Sequence, residues 1–223
     1  MVLITGEYYA GMEYKPKFNC DCNYYETVNR QVILRLVNYE KNKEILEDCP
    51  YIPFHDLAIT FRWIAYQDEI GISTALISNQ ELKHWCVPVS QLFKDAMNNT
   101  QRIFPAKIQR LKEMLKAQDM DTEGGDFELY VLTNEQGVNG ASCILYESLL
   151  KEFGQSQKSN FYLLPSSIHE MMICLDDPLI SSSMLLSLVR DANHMVVTMG
   201  EVLSDNIYYY DYEKEILTLI ESV

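Results

Sequence analysis

From Asp56 to Tyr66 the chain alternates, with Leu57, Ile59, Phe61, Trp63 and Ala65 on one side and Ala58, Thr60, Arg62 and Ile64 on the other. A period of two in β-rich residues predicts a strand. Gln67 to Gly71 then reverses the chain, and Ile72 to Ser78 brings it back as a second strand. Two strands joined so closely must pair antiparallel, because a parallel partner needs a crossover of a dozen residues or more. Ile207 to Tyr210 and Glu215 to Leu219, joined around Asp211 to Lys214, repeat that pattern near the C-terminus.

The remaining elements mix helix and strand without a strict βαβ rhythm. Val28, Val32 and Leu36, with Ile33 and Val37, predict a long amphipathic helix from Tyr25 to Leu46, capped by Asn23. Pro50 and Pro53 break the chain after it. Pro88 and Ser90 open a helix through Met97, and Pro105 opens another in which Ile108, Leu111, Met114 and Leu115 share a face. Glu128 to Thr133 reads as a strand, Asn139 to Ile144 as a turn and strand, and Tyr146 to Phe153 as a helix. Phe161 to Leu164 is a strand ended by Pro165, Met171 to Leu175 another, and Ser181 to Met195 a helix with Leu185, Leu188, Val189 and Ala192 inward. The expected class is α+β, antiparallel sheets with helices packed on one face, with room for two subdomains. The polar stretch from Gln118 to Asp126, with Gly124-Gly125, reads as a linker between residues 1–117 and 127–223.

Charge separates those halves. The chain carries −14, and residues 112–223 hold −13 of it, against −1 for residues 1–111. An acidic field repels nucleic acids and anionic membranes and attracts basic protein surfaces. With 48% hydrophobic and 22% charged residues there is ample material for a core. The N-terminus has no basic region followed by an apolar stretch, and no segment approaches the roughly 20 apolar residues of a membrane span. Six scattered cysteines, with only Cys20 and Cys22 close together, read as reduced structural thiols. A cytoplasmic location follows as the expectation.

Reactive side chains are densest at Pro165-Ser166-Ser167-Ile168-His169-Glu170. Hydroxyl, imidazole and carboxylate are the ingredients of nucleophilic catalysis, so Ser166, Ser167, His169 and Glu170 are the catalytic candidates. They lack a Gly-x-Ser-x-Gly elbow and a glycine-rich turn for an oxyanion. No metal or cofactor is called for: His169 has no histidine four residues on, His55, His84 and His194 stand alone, and the run Asp119 to Asp126 lacks EF-hand spacing. Fifteen tyrosines include the cluster Tyr208-Tyr209-Tyr210. On a strand, Tyr208 and Tyr210 share one face, and with Asp205 and Asp211 nearby they form the binding candidates, a mixture that suits a basic protein partner. Cross-strand packing is the plainer role for the same tyrosines.

Several segments carry a resemblance. Arg35-Leu-Val-Asn-Tyr-Glu-Lys-Asn42, Ile52-Pro-Phe-His-Asp-Leu57, Tyr130-Val-Leu-Thr-Asn134, Asn139-Gly-Ala-Ser-Cys143, Leu163-Leu-Pro-Ser-Ser-Ile-His-Glu170 and Val202-Leu-Ser-Asp205 with Tyr208 to Asp211 resemble an uncharacterised domain family of intestinal Firmicutes, chiefly Clostridia. The likeness spans about residue 24 to 212. Such relatives usually open with a further α/β segment, of which Ile4 to Tyr14 matches only the end. The resemblance brings no reaction; it implies a bacterial cytoplasmic setting and carriage on mobile elements. The expected function is that of a non-enzymatic acidic protein docking a basic protein surface, possible targets being nucleic-acid-handling defence enzymes. A serine-type hydrolase, a small-ligand module and a homodimer are the alternatives.

Overall fold

The computed structural model describes residues 22–67, 71–117, 128–195, 197–198 and 200–221. Cys20, Tyr8-Tyr9, Ile4 to Tyr14 and the 118–126 linker lie outside them. The described chain divides into two compact units between Ile103 and Phe104. The class is α+β.

The first unit is built on β3 (Leu57–Gln67), the long central strand of a four-stranded antiparallel sheet. β1 (Val32–Asn38) pairs with it from Val32↔Trp63 to Asn38↔Leu57. β2 (Tyr51–Phe54) pairs with Leu57 to Thr60, and β4 (Ile72–Leu76) with Arg62 to Gln67, so the expected hairpin is present. The long helix expected from Tyr25 to Leu46 does not form. In its place stand α1 (Cys22–Val28), a 3-10 turn, β1, a second 3-10 turn and α2 (Lys43–Glu47). Val28, Val32 and Leu36 are four residues apart, and a spacing of four keeps one face in a helix and in a strand alike. The contiguous Val32-Ile33-Leu34, all buried, favours the strand, since β-branched residues pack well on a pleated surface. Asn38 ends it: its Oδ1 accepts the Lys41 N–H at 2.8 Å, an Asx-type turn.

α3 (Asn79–Trp85) starts at Ser78 in a capping box, Ser78 Oγ accepting from Glu81 N at 3.2 Å and Glu81 Oε2 from Ser78 N at 2.7 Å. It ends at Cys86, whose φ of 54° is left-handed. Cys86 is disulfide-bonded, a departure from the uniformly reduced thiols expected, while Cys49, Cys143 and Cys174 are free. α4 (Val89–Ile103) runs six residues beyond Met97 and buries Leu92, Ala96, Asn99 and Thr100. Thr100 Oγ1 accepts the Leu34 N–H at 2.8 Å and donates to Ala96 O at 2.6 Å. Asn99 Nδ2 donates to Asn29 O at 2.6 Å and Val32 O at 2.9 Å. A helix thereby covers the edge of β1 and satisfies its backbone.

The second unit is a six-stranded antiparallel sheet in the order β10-β9-β7-β8-β6-β5: β5 (Ala106–Arg110), β6 (Leu129–Asn134), β7 (Phe161–Ser167), β8 (Glu170–Leu175), β9 (Ile207–Asp211) and β10 (Ile216–Ile220). The helix expected from Pro105 is a strand as far as Arg110, because Ile108 lies opposite Leu132 in the ladder; only α5 (Leu111–Ala117) is helical. Asn139 to Ile144 is not a strand either. Gly140–Leu145 forms a 3-10 helix with all six residues buried, and α6 (Leu149–Gln157) follows, starting three residues later than Tyr146. Pro165 does not stop β7: a bulge between Pro165 and Ser167 accommodates it, the usual place for proline inside a sheet. α7 (Ser182–Met195) and the β9–β10 hairpin lie where expected.

Helices cover this sheet on both faces. Phe153 of α6 meets Tyr130 and Phe161 edge-on at 5.1 and 5.2 Å, and Phe161 stacks on Tyr210 at 5.0 Å. On the opposite face Leu185 and Val189 of α7 pack with Leu164, Cys174, Ile180 and Ile207. The run Phe161-Tyr-Leu-Leu164 matches a strand buried from both sides. Among the described residues no helix is long and apolar enough to cross a membrane.

Candidate functional site

The four catalytic candidates share the β7–β8 turn but do not form one constellation. Ser166, the extra residue of the bulge, donates from Oγ to Glu170 Oε1 at 3.3 Å. Ser167 Oγ accepts the His169 backbone N–H at 3.0 Å. His169 Nδ1 accepts the Asn139 N–H at 3.2 Å, and Nε2 faces Glu201 Oε1 at 3.7 Å. With Nδ1 accepting, the proton of a neutral imidazole sits on Nε2, toward the carboxylate. Two pairs result, Ser166 with Glu170 and His169 with Glu201, and neither serine hydroxyl meets the imidazole in these contacts.

The turn is braced from several directions. Thr133 Oγ1 donates to His169 O at 2.8 Å. Ile168 N donates to Glu201 O at 3.0 Å and Ala141 N to Ile168 O at 3.3 Å. Gly140 fits because it has no side chain: a Cβ there would stand 2.2 Å from Thr133 Oγ1 and 2.3 Å from His169 O. Asn139, just before it, is left-handed at φ 53°, a conformation that Asn adopts more easily than most residues. Among the described residues no cluster of three or more His, Cys, Asp and Glu side chains could hold a metal ion.

The binding candidates divide differently. Tyr208 and Tyr210 are buried in the core, so their rings pack the sheet and present nothing to a partner. Tyr209, on the other face, donates to Asp176 Oδ2 and accepts from Asn160 Nδ2, both at 2.8 Å, with the Tyr162 ring 5.0 Å away. Burial, reinforced by the hydrogen bond to Asp176, pushes its hydroxyl up to about 12. Asp205 Oδ1 accepts from Asn193 Nδ2 at 2.8 Å. Asp211 is held by Lys214, whose Nζ and N donate at 2.6 and 2.9 Å; these bonds keep its carboxyl below the usual range.

α7 supplies the surface that the sequence pattern placed wrongly. Leu185 and Val189 are inward as expected, but Leu188 and Ala192 face outward, and Asn193 takes the third buried position. Its Nδ2 donates to Ser204 O at 2.9 Å as well as to Asp205. Met184 (45% exposed), Leu188 (54%) and Met195 (81%), with Ala192, form an outward apolar stripe at helical spacing. Leu179, 83% exposed, precedes the helix. Asp177 and Asp191, near these residues in sequence, are exposed, as is His194, while Arg190 is half-buried.

The model of the Family of unknown function (DUF5688) matches residues 4–212. The chain belongs to this family. No curated protein and no solved structure matches it. In this DUF5688 chain, segments that carry the sequence resemblance meet at the β7–β8 turn. Thr133, Asn139 with Gly140, and Ser167 to His169 come from three of them. Glu201, next to the Val202 segment, joins through the Ile168 amide. Sequence adjacency marked Ser166 to Glu170 but carried no signal for Thr133, Asn139 or Glu201, each more than 25 positions from the residue it contacts.

Proposed function

We propose that this chain is a non-enzymatic, acidic docking protein whose second unit receives a basic amphipathic surface of another protein. The outward stripe of Met184, Leu188, Ala192 and Met195 carries this reading. It lies in the part of the chain, residues 104–223, that holds −11 of the net −14. Apolar anchors ringed by one sign of charge give affinity from the buried centre and partner choice from the rim. An apolar strip on so acidic a unit suits an enzyme surface that otherwise grips phosphates, so a nucleic-acid-handling enzyme is the partner class that fits best, in a bacterial cytoplasm and on a mobile element. A serine hydrolase has less support, because Ser166 and Ser167 are engaged with Glu170 and the His169 amide.

Tagged protein is incubated with bacterial lysate at low salt and eluted on a salt gradient. The wild type should retain a stoichiometric basic protein that leaves as salt rises, since screening weakens an electrostatic contact. Leu188→Asp should retain at least about tenfold less, as expected when an interface anchor is lost. A partner held equally by Leu188→Asp, or insensitive to salt, would overturn the reading. Sedimentation velocity on both proteins checks the homodimer: a dimer dissociated by Leu188→Asp would assign the stripe to a second copy of the chain.

A further inference from the structure

The outward stripe of the second unit lies on a helix, and the relief of that helix limits what can pack on it. Met184, Leu188 and Ala192 are exposed at intervals of four along α7, and Met195, eleven residues after Met184, returns to the same line. Residues four apart form a ridge on a helix surface. The next row, Ser183, Ser187 and Asp191, is exposed as well, and its two serines are too short to fill the space beside the ridge. α7 therefore presents an apolar ridge with a shallow groove along it, the relief into which the ridge of a second helix fits. From Met184 to Met195 this surface runs roughly 16 Å, about three turns.

Between its ends the α7 backbone has committed its N–H and C=O groups to the helix. A strand cannot add to it through main-chain hydrogen bonds, so affinity must come from side chains. A convex ridge also encloses no small molecule, whose sites are concave. Charge narrows the partner further. Between Lys158 and Lys214 the sequence has one Lys or Arg, the half-buried Arg190, against eight Asp and Glu. Asp191 stands in the groove row, three residues from Leu188 and four from Met195, so it is a neighbour of both. A carboxylate beside an apolar ridge selects a cation beside an apolar anchor. His194, also exposed on α7, has its ring Nδ1 2.7 Å from the Arg190 carbonyl.

We infer that the surface received by the second unit is an amphipathic α-helix of about three turns, its apolar ridge entering the groove beside Met184 and Leu188 and a Lys or Arg on its flank meeting Asp191. This rests on the docking reading of the second unit and names the secondary structure that the reading leaves open.

The test is fluorescence anisotropy on the full chain with a fluorescein-labelled peptide of Leu, Ala and Lys, about four turns long, whose leucines stand at intervals of four and three with lysines on either side. Two controls accompany it: the same residues reordered so that Leu and Lys alternate, the pattern of a strand, and the helical peptide with Glu for Lys. The helical peptide should bind saturably and gain helical circular dichroism on binding, with both controls at least about tenfold weaker. Leu188→Asp adds negative charge but removes the anchor; it should weaken binding at least about tenfold, where attraction to charge alone would strengthen it. Ser187→Phe fills the groove and leaves the ridge, and should weaken binding at least about fivefold, where indiscriminate apolar adsorption would again strengthen it. Asp191→Asn should weaken binding about threefold and lower its salt dependence. All three positions are exposed, so the melting temperature should stay nearly unchanged in each variant. No saturable binding of the helical peptide, equal binding of the alternating isomer, or full affinity in Ser187→Phe would overturn the inference. A lysate partner that is lost in Leu188→Asp but not displaced by the helical peptide would retire the helix and keep the docking surface; the absence of any salt-sensitive partner would retire the docking surface and the helix with it.

Discussion

The two units solve the same problem, an antiparallel sheet in water, by different means. In the first, α4 turns polar side chains onto the sheet: Thr100 and Asn99 hydrogen bond the backbone around β1, and an edge is closed. In the second, helices close both faces of the sheet with apolar and aromatic contacts, yet one of them leaves an apolar stripe outside. The first unit adds to its apolar core the long-range polar bonds of α4 and carries −3 over residues 1–103; the second closes its sheet by packing and carries −11. Where polar bonds do the fastening, polar substitutions should hurt most. Where packing does it, volume should decide.

The sharpest break is Gly140→Ala. The added Cβ meets Thr133 Oγ1 and the His169 carbonyl, with backbone on one side, so the second unit should lose about 3 kcal/mol, at the upper end of overpacking. Urea denaturation read by labelling of the buried Cys143 and Cys174 should show it, while labelling of Cys49 in the first unit stays unchanged. Next, Leu185→Ala and Leu188→Ala sit three residues apart on α7, one buried and one exposed. The first should cost about 3 kcal/mol and the second under about 0.5 kcal/mol; equal losses would mean that the stripe is not outward. Thr100→Val keeps the shape but leaves the Leu34 amide without its acceptor, which should cost the first unit about 2 kcal/mol and speed Cys49 labelling alone.

The smallest effect concerns pH. Burial pushes the Cys143 thiol up to about 12 from 9.0, so the folded state resists losing that proton. A raised value means that its contribution is complete below pH 9.0, the unfolded value, and falls as pH rises toward 12. At pH 10 the second unit should have lost roughly 1 kcal/mol through this group. Cys143→Ala should flatten that part of the stability profile between pH 8.5 and 10, measured by urea denaturation at each pH. An unchanged slope would sink the assignment.

Much of the strand framework was legible. The β3–β4 and β9–β10 hairpins and the span of α7 follow from alternation, turn residues and helical spacing. Legibility failed where one spacing serves two structures, as with Val28, Val32 and Leu36, and where a local rule met a tertiary exception, as with Pro165 inside β7. In α7 the pattern placed Leu188 and Ala192 inward because apolar residues are expected there; Asn193 displaced them, its Nδ2 donating to Ser204 O and Asp205 Oδ1. The site was legible in part. Ser166 to Glu170 stand together in sequence and in the turn, but what each side chain touches is decided by residues brought in from other strands. The bond from the Arg102 guanidinium to the Arg30 carbonyl was not legible at all, since it spans 72 positions.

The bond from Leu34 to Thr100 also sets a timetable for the newborn chain. Its partners are 66 positions apart, and a ribosome adds roughly 5–20 residues per second. The outer edge of β1 therefore waits roughly 3–13 s after its own synthesis before the helix that shields it has been made. For that interval the first unit presents an open strand edge, a template with which another strand can pair.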